Sequence, residues 1–242
     1  MVVVVFSDVH ADARALEQVA SFLEGRRFAG LFGDIECIVS LGDLLGRGCA
    51  PAETLAAMER LKTEYRVISL LGNHDHAFVH GIPVSGSDAA SIRAHAPLAG
   101  SPLLGGIADL PAEAVIDRTL FVHGGPLRLG DALTDQPFWQ RLAERPGPSL
   151  SGYHYTPEMA FAELERRGLR HLCCGHQHTP ICCLLEGNAI VNRRIRYEGG
   201  EGLPASDTVA LDRPAILRVG ACMGPHPEFA VTDFERFSFL RL

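Results

Sequence analysis

The sequence predicts an α/β domain, and three observations carry that reading. Apolar runs that end in turn-forming residues alternate with segments of helical period. The early runs are continuous rather than alternating, as in strands buried on both faces. A length of 242 residues with 47% hydrophobic content suits one domain with a full core.

Taken in order, residues 2–6 are wholly apolar and predict the first strand. Residues 12–23 read as a helix, because Ala15, Leu16, Val19, Phe22 and Leu23 recur at helical spacing and Gly25 stands near its end. Residues 35–41 predict the next strand, ending at Gly42-Asp43. Pro51 suits a first helical turn, and apolar residues over 52–61 repeat with a helical period. A third strand is expected over 66–71, ending at Gly72-Asn73. From Ala77 to Leu110 the chain is rich in Gly, Pro, Ser and Ala, has one clear helical segment around 88–95, and reads as a lid-like insertion beside a site.

The second half has more antiparallel character. Residues 114–122 predict one strand leading to His123. Thr156 caps a helix that begins at Pro157 and turns Phe161 and Leu164 inward. Residues 170–174 lead to Gly175. Runs at 180–185, 189–195, 215–221 and 229–240, separated by Gly and Asn turns, read as a meander. With no internal repeat and no low-complexity tail, one domain over 1–242 is expected.

Charge and composition narrow the partners. A net charge of −7 and a pI near 5.9 leave no basic face for a long nucleic acid, whose binding rests on Lys and Arg contacts to phosphate. The first residues are too short for a signal segment and meet Asp8 too soon to span a bilayer, so no membrane role and a cytoplasmic location are expected. Seven Cys, with Cys173-Cys174 and Cys182-Cys183 adjacent, fit no secreted disulfide framework and read as free, mostly buried thiols.

Five ordered segments carry the chemistry: Asp8-Val9-His10, Gly42-Asp43-Leu44-Leu45-Gly46-Arg47-Gly48, Gly72-Asn73-His74-Asp75, His123-Gly124-Gly125 and Gly175-His176-Gln177-His178. A D-x-H or an H-x-H alone arises by chance in a chain with 11 His and 29 acidic residues. The ordered set does not, and most of its members adjoin the turn at the end of an apolar run, where open α/β sheets place ligands. Carboxylate, amide and imidazole suit borderline divalent ions such as Mn, Fe or Zn. Two ions about 3.5–4 Å apart can hold an in-line nucleophile and the charge growing on a phosphoryl group. The constellation therefore points to a metal-dependent hydrolase.

These motifs, D-x-H, G-D-x-x-G-R-G, G-N-H-D, H-G-G and G-H-x-H, resemble those of the calcineurin-like metallophosphoesterases from Phe6 to Thr179 and onward. The resemblance implies two mixed β-sheets packed face to face as a sandwich flanked by helices. It implies two metal ions, with Asp8, His10 and His178 on the first, Asn73, His123 and His176 on the second, and Asp43 bridging. His74 would be proton donor or transition-state stabiliser with Asp75 orienting it, and Arg47 resembles a phosphate-contacting Arg. The implied reaction is hydrolysis of a phosphate monoester, in a phosphoprotein or a small phosphorylated metabolite, by in-line attack of a metal-bridging hydroxide. Two alternatives are a phosphodiesterase or dinucleoside-polyphosphate hydrolase on the same site, and a non-catalytic metal-bound scaffold.

Departures from the pattern matter too. The protein phosphatases usually have Asp where Gly46 stands, so Arg47 lacks an orienting partner. The wording is closer to a branch of small bacterial and archaeal phosphoesterases that often carries an N-P-G-S-type loop. Here residues 219–225 stand in that place, and residues 191–196 are particular to this chain; both are places where substrate preference can reside. His76, His80, His95, His154, His171 and His226 have no motif support and read as surface or structural. Arg128, shortly after His123, is either a phosphate contact or an exposed loop residue. Arg193, Arg194 and Arg196 read as a solvated face.

Overall fold

The computed structural model describes residues 1–83, 86–130, 134–149, 152–199 and 203–242. Its first strand, β1 (Val2–Phe6), shows the organising principle: Val3 and Val5 pack to one side and Val2, Val4 and Phe6 to the other, so both faces are buried and the run is continuously apolar. Helix α1 (Ala13–Leu23) follows, capped by Asp12, whose carboxylate accepts the Ala15 N–H at 3.1 Å. Then come α2 (Arg26–Phe32), β2 (Ile35–Ser40), α3 (Pro51–Glu64), β3 (Val67–Ser69) and α4 (Asn73–Val79). The segment read as an insertion holds α5 (Ala89–His95) and α6 (Pro102–Ala108).

Strands β4 (Glu113–Ile116) and β5 (Thr119–Val122) pair antiparallel. The short strands β6 (Arg141–Leu142), β7 (Gly147–Ser149) and β8 (Gly152–Tyr155) form a small sheet ahead of α7 (Pro157–Arg166) and β9 (His171–Cys174). The chain closes with β10 (Ile181–Glu186), β11 (Ala189–Arg193), β12 (Ala205–Ala210), β13 (Ala215–Arg218), β14 (Glu228–Thr232) and β15 (Arg236–Arg241).

Among the described residues, two six-stranded mixed sheets result. One runs β12-β15-β14-β1-β2-β3, with β1, β2 and β3 parallel; the other runs β11-β10-β13-β9-β5-β4, with β13, β9 and β5 parallel. They pack face to face over one buried cluster in which Val5, Val39 and Phe239 meet Phe121, Cys173 and Leu217. Helices α1 and α3 cover the outer face of the first sheet, and α7 covers that of the second. Truncating one of these buried Phe side chains to Ala costs about 3–5 kcal/mol in such a core.

The structure corrects the sequence reading in several places. Residues 114–122 are not one strand but a hairpin, turned at Asp117 and Arg118 with φ of 42° and 60°. That pair of left-handed residues matches a two-residue hairpin turn without the Gly that normally marks one. The meander is also absent, because β10, β11 and β13 join one sheet and β12, β14 and β15 the other. Helices α2 and α6 and strand β12 were not anticipated. Of the seven cysteines, all free, six are buried and Cys49 is exposed. Among the described residues no helix is long and apolar enough to cross a membrane.

Candidate metal centre

Each candidate ligand lies just beyond the C-terminal end of a strand in one of the two parallel cores. Asp8 and His10 follow β1, Asp43 follows β2, and Asn73 follows β3 and opens α4. His123 follows β5, and His176 and His178 follow β9. Three strands of one sheet and two of the other therefore converge on one place. The approach is close at Gly175, where any Cβ would meet the Ser7 side chain and the Asp8 carboxylate.

The backbone bends sharply to aim these groups inward. Asp8, His10, Asp43, His176 and His178 have φ of 57°, 52°, 55°, 68° and 61°, in the left-handed region. Each such residue costs about 1–2 kcal/mol and is sustained by the surrounding structure. Asp8 and Asp43 supply part of that support. The Asp8 carboxylate accepts the His176 N–H at 2.9 Å and the Asp43 carboxylate accepts the His74 N–H at 2.8 Å.

The ligand atoms gather into three overlapping groups within 4.8 Å: Asp8, His10 and His178; His10, Asp43 and His74; and Asp43, His123 and His176. Asp43 belongs to two of them. His10 Nε2 lies 3.0 Å from His178 Nε2, and His123 Nε2 lies 3.0 Å from Asn73 Oδ1 and 3.3 Å from Asp43 Oδ2. His10 and His123 each donate Nδ1–H to a backbone carbonyl, of Leu45 and Leu41, which leaves the Nε2 lone pair facing the cluster. Buried His176 Nε2 has no hydrogen-bond partner among the described residues, and buried Asp8 Oδ1 faces the His178 ring nitrogen at 3.2 Å. Acceptor atoms aimed at one another, with His176 Nε2 orphaned in a dry interior, are a donor set that fits divalent cations.

Electrostatics agree with that fit. Burial opposes charge on Asp43 and Asp8, yet neighbouring imidazoles, His123 for Asp43 and His178 for Asp8, outweigh it and hold both carboxyls below their usual range. Burial opposes protonation of His123 as well, but Asp43 and the other carboxylates raise its pKa to about 9. Cations entering here would displace that proton. Burial, with His123 and Arg141 adding to it, depresses His176.

His74 sits edge-on against His10, with ring centroids 4.6 Å apart. Burial is the main cause that lowers its pKa to about 4, so it is neutral near pH 7. The structure gives Asp75 a different task from orienting His74. Its carboxylate accepts the N–H groups of Leu45 at 2.9 Å, Gly72 at 3.2 Å and Leu44 at 3.3 Å, while His74 Nδ1 has no partner among the described residues. Asp75 thus ties the loop that carries Asp43 to the start of α4.

Arg47 has φ of 53°, Nε buried without a partner among the described residues, and a guanidinium whose charge reaches His10 and His74. His95, read from sequence as surface or structural, is 2% exposed and donates Nδ1–H to Ser91 O, which turns Nε2 to accept the Gly46 N–H at 2.9 Å. Arg128 is held by Glu113 at 3.2 Å. His76 packs against His80 and Phe138 and is in none of the three groups.

Sequence reasoning missed Arg141. Its Nε is buried without a partner among the described residues; burial lowers its pKa, Arg47 acts in the same direction, and Asp43 and Asp8 oppose them. It therefore stands in charge range of both carboxylates. The nearest signal in the sequence was the run Pro137-Phe138-Trp139-Gln140 just before it, whose Phe138 and Gln140 are buried.

Comparisons with known proteins came out as follows. The family model described as calcineurin-like phosphoesterase matches residues 1–180. No curated protein matches the sequence. A metallophosphoesterase from Sphaerobacter thermophilus superposes with a TM-score of 0.67 at 24% identity, covering 100% of this chain and 88% of its own. A serine/threonine phosphatase from Saccharomyces cerevisiae superposes at 0.61 with 16% identity, over 100% of this chain and 80% of its own. A putative diadenosine tetraphosphatase does so at 0.55 with 17% identity, over 99% and 93%. At these identities the superpositions speak to the fold.

Proposed function

This chain belongs to the calcineurin-like phosphoesterase family and is a metal-dependent phosphoester hydrolase; from that premise we propose that it acts on a phosphate monoester, in a small phosphorylated metabolite or a phosphoprotein. Asp8, His10 and His178 would hold one ion, Asn73, His123 and His176 the other, and Asp43 both. Ions of the Mn, Fe or Zn kind there supply an activated water near neutral pH and neutralise charge on the phosphoryl group.

The chain's own side chains do the rest. The observation that carries the monoester reading is the pair Arg47 and Arg141, two guanidiniums whose buried Nε atoms have no partner among the described residues, beside the carboxylate cluster. A monoester phosphate is a dianion and a diester a monoanion, so extra fixed cations favour the monoester. His74, neutral, offers one N–H to the leaving oxygen as its bond to phosphorus breaks. Asp75 acts on the loop geometry. The segment from Ala77 to Leu110 serves as a lid, tied to the site through His95 and Gly46. We assign the reaction to the cytoplasm, in keeping with seven free thiols.

The test is hydrolysis of an aryl phosphomonoester against an aryl phosphodiester by metal-stripped protein, with Mn, Fe, Zn, Ni and Mg each added back and His74→Asn as control. Monoester turnover that needs both metal and His74 supports the proposal. Preference for the diester overturns it in favour of the phosphodiesterase, and tight metal binding with no turnover of either substrate favours the scaffold.

A further inference from the structure

Arg218, at the end of β13, is 8% exposed and has no carboxylate within ion-pair distance among the described residues. Its Nε donates to Thr179 O at 2.7 Å, and its guanidinium lines a groove of about 850 Å³. A buried arginine is normally paired, because an uncompensated charge in a dry site is costly. The groove begins beside the metal centre: Gln177 and Thr179, which flank His178, form its wall, and Gln177 is anchored there by accepting the Leu142 N–H at 2.9 Å. The charge of Arg218 also reaches Arg141.

The other cations of the groove separate into two kinds. Arg193 is neutralised by a bidentate pair with Asp207, at 2.6 and 3.0 Å, and Arg241 is held by Glu228 and stacked on Tyr197 with its Cζ 4.1 Å from the ring centroid. Arg194 is exposed and has no ion-pair partner among the described residues, so Arg218 and Arg194 are the free charges. Glu144 is the one carboxylate among the described residues lining the groove. Ile181, Ile195 and Tyr197 supply apolar wall. In a chain of net charge −7, two unneutralised guanidiniums in one groove are an anion site.

We propose that Arg218 and Arg194 determine specificity by binding a second phosphate, carried on the leaving group of the substrate, while its apolar spacer lies along Ile181 and Ile195. The preferred substrate is then a small metabolite with two phosphate groups rather than an isolated monoester. This rests on the hydrolase reading of the neighbouring centre and adds a substrate class to it. The volume is that of a small-molecule site rather than of a protein interface.

The test compares alkanediol bisphosphates of graded chain length with the matching alkyl monophosphates, using the full chain loaded with its best metal. The ratio of kcat/KM, bisphosphate over monophosphate, is expected to exceed one in the native protein. It should fall about 10- to 100-fold in Arg218→Met, mostly through KM, and less in Arg218→Lys and Arg194→Ala. A ratio that none of these variants changes overturns the proposal, whatever the turnover. So does a preference for alkyl phosphates ending in a carboxylate, which would indicate an acidic peptide. Calorimetric binding of the same bisphosphates to metal-stripped protein separates the two readings. Binding lost in Arg218→Met without turnover in the native protein sinks the hydrolase reading and keeps the groove. If Arg218→Met does not fold, exposed Arg194→Ala carries the test.

Discussion

The Cβ that Gly46 lacks would lie 2.6 Å from His74 Nδ1 and 3.1 Å from its Cβ. Gly46 also has φ of 88° and gives its N–H to His95. The glycine that departs from the protein-phosphatase pattern is thus matched to the position of His74, and the space beside the imidazole belongs to the ring alone.

Gly46→Asp, which restores that pattern, is accordingly expected to impair the protein. The backbone conformation costs a non-glycine residue about 1–2 kcal/mol, and the new side chain must displace His74. Turnover should drop and the thermal midpoint should fall. A variant as stable and active as the native chain would show that the loop repacks freely.

Asp43→Asn and His74→Asn should fail in different ways. Asp43 lies in two of the three ligand groups, so its loss is expected to lower bound metal and turnover together. His74→Asn should keep the metal and lose about 10²- to 10⁴-fold in rate, with a smaller loss on substrates that have a good leaving group. Metal analysis by mass spectrometry beside the kinetics distinguishes the two.

Asp75→Asn tests the correction made to that residue. Three backbone N–H groups bond to its carboxylate, and an amide can accept with only one of its two ends. A stability loss of about 2–3 kcal/mol in urea unfolding of metal-stripped protein is expected. A rate defect with unchanged stability would return Asp75 to His74.

His171 gives the apo protein a pH dependence. It is 3% exposed in β9 with Nδ1 unpartnered among the described residues, and burial, aided by Arg170, lowers its pKa from 6.5 to about 4. The unfolded chain therefore takes up this proton first on acidification. Its contribution is intact above pH 6.5, is lost as pH falls from 6.5 to 4, and is level below that, for a total of about 3 kcal/mol. Native protein should lose that much more stability than His171→Gln across the window; parallel curves would exclude the residue.

Arg47→Ala and Arg141→Ala are each expected to raise KM for an aryl monophosphate by about 10-fold, the scale of one charge-assisted contact. Equal KM values in native and variant proteins would remove the phosphate role from whichever residue was changed.

The convergence of the candidate ligands was readable because each one needs a strand end, a turn and a hard or borderline donor within a few residues, and Asp8-Val9-His10 or Gly175-His176-Gln177-His178 hold all of that locally. Arg141 and Arg218 were not, since an arginine in an ordinary strand looks the same whether it meets Asp207, as Arg193 does, or faces an open groove. His95 was hidden for a similar reason: its partner Gly46 lies far off in the chain. The hairpin at Asp117-Arg118 escaped because its turn lacks glycine, and β12 because its sequence Ala205-Ser206-Asp207-Thr208-Val209-Ala210 has little apolar pattern; pairing with β15 makes it a strand.

Asp8, Asp43 and Asn73 descend from one sheet, and His123, His176 and His178 from the other. Ions shared among them would act as rivets across the sandwich, fastening the two halves at the mouth as Phe121 and Phe239 fasten them at depth. Ligand linkage makes this reciprocal, with occupancy at 100 times Kd worth about 2.7 kcal/mol. Slippage between the sheets would then be felt as weaker metal binding, and a core substitution far from the opening would starve the centre of its ions without touching a single candidate ligand.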